Sequence, residues 1–388
     1  MKVNKLLLIT CLISLFSHAK WEEIYTPLTE NLTSIEFIGN IGFCAGSNGA
    51  LLKSIDGGLS WKTIVSGTSD NITSILFINA SIGYFTTSTG YIFKTINSGV
   101  SWTNTKLQSV GINGIDFLNS SIGLAVGDNG TIFRTTNSGN SWDTLGRFSV
   151  YVINDVVFVN DTLAVAVGAK GSVLSSSDAG LNWIYKGINS SNSFNAIEKI
   201  NNSKAAMVGS LGLYAEFSTE SMLASNKQTI DFGQTIDLLK DIHLSSSGKL
   251  YVVGFNQTVL ITNPGWKNWD LDFVNNLNSI HFVNDTIGFT CGANGKIYKT
   301  ITGGFPIGNS EINVKKLNLY PNPVINIINF SGLSEQKKTI TIYSKAGKII
   351  NRKTTLDSNI DISNYKAGMY LIHLYDNGNI YRSKFLKH

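Results

Sequence analysis

A carboxylate close to an aromatic ring is the first feature of the sequence that could do chemistry. Asp56 lies in the stretch Ser-Ile-Asp-Gly-Gly-Leu-Ser-Trp, which spans residues 54–61 and ends at Trp61. Glycoside hydrolases use paired carboxylates as acid, base or nucleophile, so Asp56 is a candidate catalytic group in a glycan cleft. The same residues could instead form a tight turn, because Asp accepts hydrogen bonds from nearby backbone N–H groups and Gly readily adopts a positive φ.

The repetition of this stretch favours the turn. Further copies occupy residues 95–102, 135–142 and 176–183, so the copies follow one another at about 40 residues. Asn replaces Asp in half of them, and an amide accepts the same hydrogen bonds but cannot act as a general acid or nucleophile. We therefore interpret the following residues of the four copies as structural: Ser54, Asp56, Gly58, Trp61, Asn97, Trp102, Asn137, Trp142, Asp178 and Trp183.

A repeat of about 40 residues is typical of the four-stranded blades of a β-propeller. Short runs rich in β-branched and aromatic residues recur between Gly, Asn, Asp and Ser, and a Gly-x-x-Gly turn or a degenerate copy of it marks seven units. The last unit lacks a Trp of its own, whereas Trp21 precedes Trp61 by 40 residues. We therefore predict an all-β fold with a seven-bladed propeller at residues 20–308, in which the strand that starts at Trp21 completes the last blade and closes the ring.

The pattern Ser/Thr-x-Asp-x-Gly-x-x-Trp is similar to the Asp-box of bacterial neuraminidase-type repeats. The whole unit, with its Gly-x-x-Gly turn, resembles the propeller of the photosystem II stability/assembly factors of plants and cyanobacteria over roughly residues 20–306. This resemblance implies a fold more than a function. A sialidase needs three arginines around the substrate carboxylate, but the predicted propeller holds only Arg134 and Arg147, so we do not expect that activity.

One residue in each predicted inner strand should line the central channel. His243, His281 and Glu36 come from three consecutive blades of a closed ring, and two imidazoles with one carboxylate could hold a metal ion. The alternative is a set of polar side chains at a wet channel mouth, and we predict no cofactor. The seven positions are Glu36, Leu76, Asp116, Val157, Glu198, His243 and His281.

The sequence changes character after residue 308. Residues 312–388 carry 12 Lys and Arg against 4 Asp and Glu, whereas residues 20–311 carry 17 against 22. The basic residues are scattered, so no nucleic-acid partner is predicted. We expect a linker at 309–318, and the strand-like runs that follow predict a small antiparallel β-sandwich at 319–388.

Four separated pieces of this second domain resemble the type A C-terminal sorting domain of the type IX secretion system of Bacteroidetes. They are Tyr-Pro-Asn-Pro at 320–323, residues 342–350, residues 360–372, and Lys-Phe-Leu-Lys at 384–387. The resemblance implies recognition by the secretion machinery, passage through the outer membrane, and then attachment at the surface or release. It assigns these motif positions: Tyr320, Pro321, Asn322, Pro323, Gly347, Gly368, Tyr370, Lys384 and Lys387.

The first 19 residues have the pattern of a secretory signal peptide. Lys2 and Lys5 precede an apolar run that ends in Ser-His-Ala at residues 17–19. No later stretch is long and apolar enough to predict a transmembrane segment. Cys44 and Cys291 fall in corresponding strands of the first and last blades, where an exported protein could form a disulfide. Their places in the repeat differ by one residue, which points them to opposite sheet faces and favours two buried thiols.

These features predict a secreted or cell-surface protein that binds a protein or a glycan. A secreted glycoside hydrolase acting on polysaccharide is the alternative, because counting carboxylates does not exclude it. A structural adhesin is a third hypothesis. The sequence names no ligand and does not indicate which face of the propeller is functional.

Overall fold

The chain divides into two compact units, residues 1–307 and residues 308–388. The computed structural model describes residues 21–188, 190–219, 223–229, 238–256, 258–262, 266–268, 276–304, 314–331, 333, 338–344, 349–376 and 379–388. All structural statements below refer to these residues. The predicted signal peptide at 1–19 and the motif residue Gly347 lie outside them.

The described residues of the first unit form seven four-stranded sheets, which we number as blades in chain order. The first strand, β1 (Trp21–Ile24), is the outermost strand of blade 7. The others are β2 (Leu32–Ile38), β3 (Ile41–Gly46), β4 (Leu51–Ser54) and β5 (Lys62–Thr63) in blade 1; β6 (Ile72–Phe77), β7 (Gly83–Thr87), β8 (Tyr91–Thr95) and β9 (Thr103–Lys106) in blade 2; β10 (Ile112–Phe117), β11 (Gly123–Gly127), β12 (Thr131–Thr135) and β13 (Asp143–Arg147) in blade 3; β14 (Ile153–Phe158), β15 (Ala164–Gly168), β16 (Val173–Ser176) and β17 (Ile184–Tyr185) in blade 4; β18 (Phe194–Asn201), β19 (Lys204–Gly209), β20 (Leu213–Ser218) and β21 (Leu223–Thr229) in blade 5; β22 (Leu239–Leu244), β23 (Leu250–Gly254), β24 (Val259–Thr262) and β25 (Trp266–Asn268) in blade 6; and β26 (Leu277–Phe282), β27 (Gly288–Gly292) and β28 (Ile297–Thr300) in blade 7.

The Gly-x-x-Gly turns connect the second and third strands of a blade. In blade 1 the turn from Ser47 to Gly49 is a short 3-10 segment whose middle residue, Asn48, has φ 56°. A Cβ at Gly46 would overlap the carbonyl of Asn31, and Gly49 has φ +68°. The first glycine is therefore required by a close approach of two backbones, and the second by the left-handed backbone of the turn.

The N-terminal strand closes the ring, as predicted. Strand β1 pairs antiparallel with β28, with Trp21 opposite Thr300 and Ile24 opposite Ile297. Trp21 is buried, and its ring meets the ring of Phe282 edge-on at 6.0 Å. The pairing covers the outer edge of β28, which would otherwise expose unpaired backbone groups.

Aromatic rings fill the space between neighbouring blades. A ring on the second strand of one blade stacks on the inner-strand Phe of the next blade at four of the junctions. The centroid distances are 3.8 Å for Phe43–Phe77, 4.4 Å for Tyr84–Phe117, 3.8 Å for Tyr251–Phe282 and 4.2 Å for Phe289–Phe37. The core of the propeller therefore consists of layers between sheets, and each layer depends on two blades at once.

The second unit contains two facing sheets. Its strands are β29 (Val314–Lys316), β30 (Asn318–Tyr320), β31 (Ile327–Ser331), β32 (Lys338–Ser344), β33 (Ile349–Thr355), β34 (Asn359–Asp361), β35 (Gly368–Asp376) and β36 (Asn379–Lys387). The sheet orders are β29-β36-β35-β32-β33 and β30-β31-β34. Ile328 and Phe330 of the small sheet share one buried cluster with Ile342, Ile372 and Leu374 of the large sheet.

The structure corrects the predicted linker and the strand directions of this unit. Residues 314–316, which the sequence pattern assigns to a linker at 309–318, form β29. This strand runs parallel to β36, with Val314 opposite Ile380, so the sheet is not wholly antiparallel. The prediction failed because a three-residue strand carries no periodic signal, and its partner lies more than 60 residues later in the chain.

Candidate functional site

The seven inner strands around the central channel share one residue pattern, which we call the frame and number from the first residue of each strand, such as Leu32 in β2. The second residue of the frame is Thr or Asn in six blades, and its side chain donates a hydrogen bond to a backbone carbonyl of the next blade's inner strand. These bonds give a partner to backbone carbonyls on the inner edge of each sheet, where no further strand pairs. The pairs are Thr33–Ile72, Thr73–Ile112, Asn113–Ile153, Asn154–Phe194, Asn195–Leu239 and Asn278–Leu32.

Carboxylates at the third and fifth residues of the frame accept hydrogen bonds from the same free edge. The N–H of Phe158 donates to Asp116 at 2.7 Å, and the N–H of Leu244 donates to Glu198 at 3.2 Å. Glu36 accepts in the same way from Phe77. Asp155 and Asp241 use the third residue of the frame, accepting at 2.9 Å from the N–H groups of Ile197 and Ile280. Each of these carboxylates therefore fastens one blade to the next.

Burial in the channel makes these carboxyl groups weak acids. Desolvation raises the pKa of Glu36 and of Glu198 to about 8, and the nearby Asp241 and Asp155 raise the pKa of Glu198 further. Desolvation also raises the pKa of Asp155 to about 7 and the pKa of Asp116 to about 6. The bonds from backbone N–H groups oppose these shifts without cancelling them. Several channel carboxyls are therefore partly protonated at neutral pH.

The structure does not assemble the metal site hypothesised from His243, His281 and Glu36. The two imidazole rings lie 4.8 Å apart, and the Nδ1 of His243 lies 4.0 Å from a carboxylate oxygen of Glu198. Glu36 instead faces blade 2, where it bonds the backbone of Phe77. Burial lowers the pKa of His243 to about 4 and of His281 to about 3, so both are neutral. Among the described residues, no group of three or more His, Cys, Asp or Glu could hold a metal ion.

A cavity of about 380 Å3 opens where the inner strands of blades 3, 4 and 5 end. We call it the mouth cavity. Asp116 of the channel frame lies at its inner end, and the attraction of Lys199 lowers the pKa of Asp116, against the larger effect of burial. Asn160 donates a hydrogen bond to the carbonyl of Asn202 across the rim at 2.9 Å. The lining residues are Asp116, Phe117, Leu118, Val157, Phe158, Asn160, Asp161, Lys199 and Asn202.

Sequence reasoning reached only part of this site. It named Asp116 and Val157 at the fifth position of the frame. It missed Asp155 and Asp241, which occupy the third position of the frame in β14 and β22. It also missed the loop residues Asn160 and Asn202, which meet only in the folded ring. The repeat itself holds a signal for the two aspartates, because aligned inner strands show the third residue as polar in most blades.

The propeller's two arginines lie apart in different settings. The Nε of Arg134 donates to the carbonyl of Ala179 in the next blade at 3.0 Å. Lys53 and Lys299 make equivalent bonds to Ser98 and to Gly57. Arg147 instead lines a second cavity, of about 370 Å3, together with Asn129 and residues 148–150. The Arg134 position is thus a repeated contact between blades.

The Asp-box turns are closed by the hydrogen bonds that their residue types suggest. In blade 1 the Oγ of Ser54 donates to Asp56 at 2.8 Å and accepts from the N–H of Gly58 at 2.9 Å. Asp56 also accepts from the N–H of Ser60 at 3.0 Å. Asn97 accepts the same bond from the N–H of Ser101, also at 3.0 Å. Asn137 and Asp178 repeat the geometry in blades 3 and 4.

The Trp of each box lies on the inner-strand aromatic of its own blade. Trp61 meets Phe37 edge-on at 5.7 Å, Trp102 meets Phe77 at 6.1 Å, and Trp142 meets Phe117 at 5.9 Å. Trp183 is buried beside Phe158 in the equivalent cluster of blade 4. Each of these four indoles packs in the cluster that joins its blade to the preceding blade.

Cys44 and Cys291 are two buried thiols, as predicted, and the structure brings them into one cluster. Both are buried, free thiols of one cluster that also contains Phe37 and Phe289. Burial raises the pKa of the Cys291 thiol, and the neighbouring Cys44 thiol raises it further. Neighbouring blades contact each other through opposite faces, so residues on opposite faces of their own sheets meet at the junction.

The sorting-motif residues at the two ends of the second unit contact each other. The side chain of Asn322 donates to the carbonyl of Lys384 at 3.0 Å and accepts from the N–H of Leu386 at 2.9 Å. Gly368 begins β35 with φ +151°, and Tyr370 stacks on Phe385 at 5.4 Å. Lys387 is buried, whereas Tyr320, Pro321, Pro323 and Lys384 are exposed. The Tyr-Pro-Asn-Pro turn is thus held by the last strand of the chain.

Comparison with known proteins identifies both units. A family model described as photosynthesis system II assembly factor YCF48 matches residues 13–301, about three quarters of the chain. The chain belongs to the YCF48 family. A second family model, described as a secretion system C-terminal sorting domain, matches residues 318–388 of this YCF48-family protein. The sorting domain indicates export by the type IX secretion system to the cell surface or the extracellular space.

Solved YCF48 structures share the propeller fold. A structure of YCF48 bound to a D1 peptide has a TM-score of 0.61 and 19% sequence identity, covering 73% of this chain and 95% of the other. YCF48 from Cyanidioschyzon merolae has a TM-score of 0.60 and 17% identity, covering 72% and 98%. At these identities the similarity shows the fold alone. No curated protein matches the sequence. The described residues contain no helix that could cross a membrane.

Proposed function

We propose that this YCF48-family protein is an exported binding module that holds a polypeptide segment at the mouth cavity. The observation that carries the proposal is the cavity itself, a concave site with amide, carboxylate and ammonium groups in its lining. Such groups hydrogen-bond to peptide N–H and C=O groups and pair with charged side chains. The structure of YCF48 with a D1 peptide supports the choice of ligand class, because that protein has the same fold and is bound to a peptide.

The channel carboxylates favour binding over catalysis. A glycosidase needs two carboxyl groups free to face one glycosidic bond. Here Asp116, Asp155 and Glu198 each accept a backbone N–H from the next blade, so they serve the closure of the ring. Only Asp116 of these three also lines the mouth cavity.

Peptide binding is tested by two variants at the cavity and one away from it. Asp161→Ala and Asn202→Ala remove polar groups from the rim, while Lys170→Ala removes an exposed cation from the Gly-x-x-Gly turn of blade 4. A random peptide library displayed on phage is selected on the full chain, and the affinities of the selected peptides are measured by titration. We expect the double cavity variant to bind at least about tenfold more weakly, since one or two hydrogen bonds to a charged or amide group are lost. Equal affinities for all variants would overturn the cavity as the binding site.

The alternative hydrolase is tested on the same protein. Asp116 lines the mouth cavity, and burial raises its pKa to about 6, which suits a general acid. The wild type is incubated with plant and microbial polysaccharides and assayed for new reducing ends. We expect none. Reducing ends that disappear in Asp116→Asn would replace the binding proposal with a hydrolase.

Export is tested by removing residues 308–388 in the native host. We expect the truncated protein to accumulate in the periplasm, because the sorting domain is the part that the secretion machinery recognises. The full chain, followed in parallel by immunoblotting of periplasm, cell surface and medium, is the control. A truncated protein that still reaches the medium would contradict the role of the second unit.

A further inference from the structure

We propose that Cys44 and Cys291 form a disulfide bond in the exported protein, which makes the closure of the propeller ring covalent. The inference rests on export, because a disulfide persists in the periplasm and outside the cell but not in a reducing cytosol. It concerns the junction of blades 7 and 1, where the two ends of the propeller sequence meet. It is independent of which ligand the mouth cavity binds.

The junction already brings the two sulfur atoms together. Cys44 lies on β3 and Cys291 on β27, the second strands of the two blades, and neither has any exposed surface. Both thiols lie in one buried cluster with Phe37 and Phe289, and the Cys44 thiol helps to raise the pKa of Cys291. A disulfide requires two Cβ atoms that point toward each other at short range. Cysteines that meet across one layer between two sheets point toward each other in this way.

Apart from the chain that runs from β1 to β2, blade 7 is held to blade 1 by hydrogen bonds and packing. Blade 7 is held to blade 1 by the bonds from Asn278 to the carbonyl of Leu32 at 2.7 Å and from the N–H of Ile35 to Ser279 at 3.2 Å. Within blade 7, the four residues of β1 pair with β28. The two ends of the ring meet inside blade 7, where β1, which continues into blade 1, pairs with β28. Opening the ring would separate the other three strands of blade 7, β26 to β28, from blade 1. A cross-link between blades 1 and 7 therefore lies where opening would begin.

The oxidation is a thiol–disulfide exchange with a disulfide-carrying protein oxidant or oxidised glutathione. The thiolate of one cysteine attacks the oxidant's disulfide, which forms a mixed disulfide and releases one oxidant thiol. The second cysteine then attacks the protein sulfur of the mixed disulfide and releases the other oxidant thiol. The two thiol protons end on the two released thiols, so the protein loses two electrons and the oxidant gains them.

The exchange must precede the final closing of the ring. In the folded protein both sulfurs are inaccessible, and burial keeps the Cys291 thiol protonated by raising its pKa. Only a thiolate reacts at a useful rate. While blades 1 and 7 are still apart, both thiols are exposed to the oxidant. The completed bond then closes a loop that runs from residue 44 to residue 291, and a loop of this length strongly restricts the unfolded chain.

The test is alkylation of the protein purified after export from the native host. The sample is denatured and treated with iodoacetamide, with and without prior reduction, and its peptides are analysed by mass spectrometry. We expect no adduct at either cysteine without reductant, a cross-linked pair of peptides containing Cys44 and Cys291, and two adducts after reduction. Cys11 does not interfere, because it lies in the predicted signal peptide. Two adducts in the unreduced exported sample would overturn the disulfide.

Thermal unfolding provides the second measurement. We expect reduction to lower the Tm of the exported wild type by at least about 5 °C, because the long loop is released in the unfolded state. A Cys44→Ala/Cys291→Ala double variant should show no response to reductant. A Tm unchanged by reduction of the wild type would contradict the proposed closure. Protein retained inside the cell would overturn export, whereas exported protein with two free thiols would overturn only the disulfide. The alkylation assay needs no variant, so it stands even if the double variant does not fold.

Discussion

Asp56 lies in the Asp-box turn of blade 1, which we call the rim turn, and Glu36 lies in the channel of the same blade. Both accept hydrogen bonds from nearby groups, but their pKa values move in opposite directions. At the rim, slight burial is outweighed by bonds from Ser60, Ser54 and Leu59, which lower the pKa of Asp56 to about 2. In the channel, desolvation outweighs the bond from Phe77 and raises the pKa of Glu36 to about 8. The comparison shows that solvent, more than hydrogen bonding, decides which protonation state a structural carboxyl prefers.

The largest effect is expected from the packing that anchors the rim turn. Gly57 and Gly58 both have positive φ, at +70° and +74°, but a Cβ at Gly58 would overlap the buried Phe289 ring of blade 7. Gly58→Ala should therefore lower the free energy of unfolding by about 3 kcal/mol, from backbone strain and overpacking together. Gly57→Ala, whose Cβ has only Asn40 at 3.8 Å, should cost about 1 kcal/mol.

Urea titration of the two variants measures this difference. They share the turn, the substitution and the sign of φ, so they differ only in what the new methyl group meets. Equal losses would mean that the rim turn is not anchored on the neighbouring blade, and that backbone strain alone explains both values.

The second largest effect is expected in the pH dependence of the free energy of unfolding, to which the channel carboxyls contribute. The folded pKa of Glu36 and Glu198 is about 8, above the ordinary 4.5. A raised pKa means that the folded state holds these protons more tightly than the unfolded state does. The stability that the two carboxyls contribute is therefore complete below about pH 4.5 and is lost as pH rises to about 8. Wild type should therefore lose stability across that window. Glu36→Gln/Glu198→Gln keeps the acceptor atoms without the charge, and should exceed wild type at pH 8 by on the order of 2 kcal/mol after allowance for water in the channel.

Urea midpoints measured from pH 4.5 to pH 8.5 test this prediction. Asp143→Asn, which removes an exposed carboxylate of β13, is the matched control and should follow wild type. If the double Gln variant lost stability with rising pH as steeply as wild type, the channel carboxyls would already be charged and the contrast with the rim would fail.

The smallest effect is expected at the rim carboxylates. Asp56→Asn/Asp178→Asn should stay within about 0.5 kcal/mol of wild type at pH 7, because Asn97 and Asn137 close the same turn. The pKa values of Asp56 and Asp178 are lowered from 3.8 to about 2, so their contribution is present above pH 3.8 and is lost as pH falls to about 2. The Asn variant should lack this acid-induced loss.

Unfolding followed by circular dichroism between pH 5 and pH 2 measures the acid-induced loss. Asp56→Ala, which removes the acceptor altogether, should cost about 1 kcal/mol at pH 7 and separates the need for an acceptor from the need for a charge. A large loss in the Asn variant at pH 7 would show that the charge itself matters, and would reopen a chemical role for the boxes.

Much of the architecture was predictable because it is encoded locally and repeated. The exchange of Asp56 for Asn97 in the next copy indicated an acceptor in a turn. The 40-residue distance from Trp21 to Trp61 indicated the strand that closes the ring, and β1 pairs as expected. The short strand β29 was missed, because its pairing with β36 depends on a partner far along the chain.

The sequence by itself determined the repeat, the turns and the pieces of the sorting motif, since each turn and each motif piece is recognised from residues close together in the chain. Only the tertiary structure decided that Cys44 meets Cys291, that Glu36 faces Phe77 rather than the two histidines, and that three blades leave the mouth cavity between them. These outcomes depend on which faces of neighbouring sheets touch and how much water remains between them. That geometry is a property of the closed ring, and no single repeat contains it.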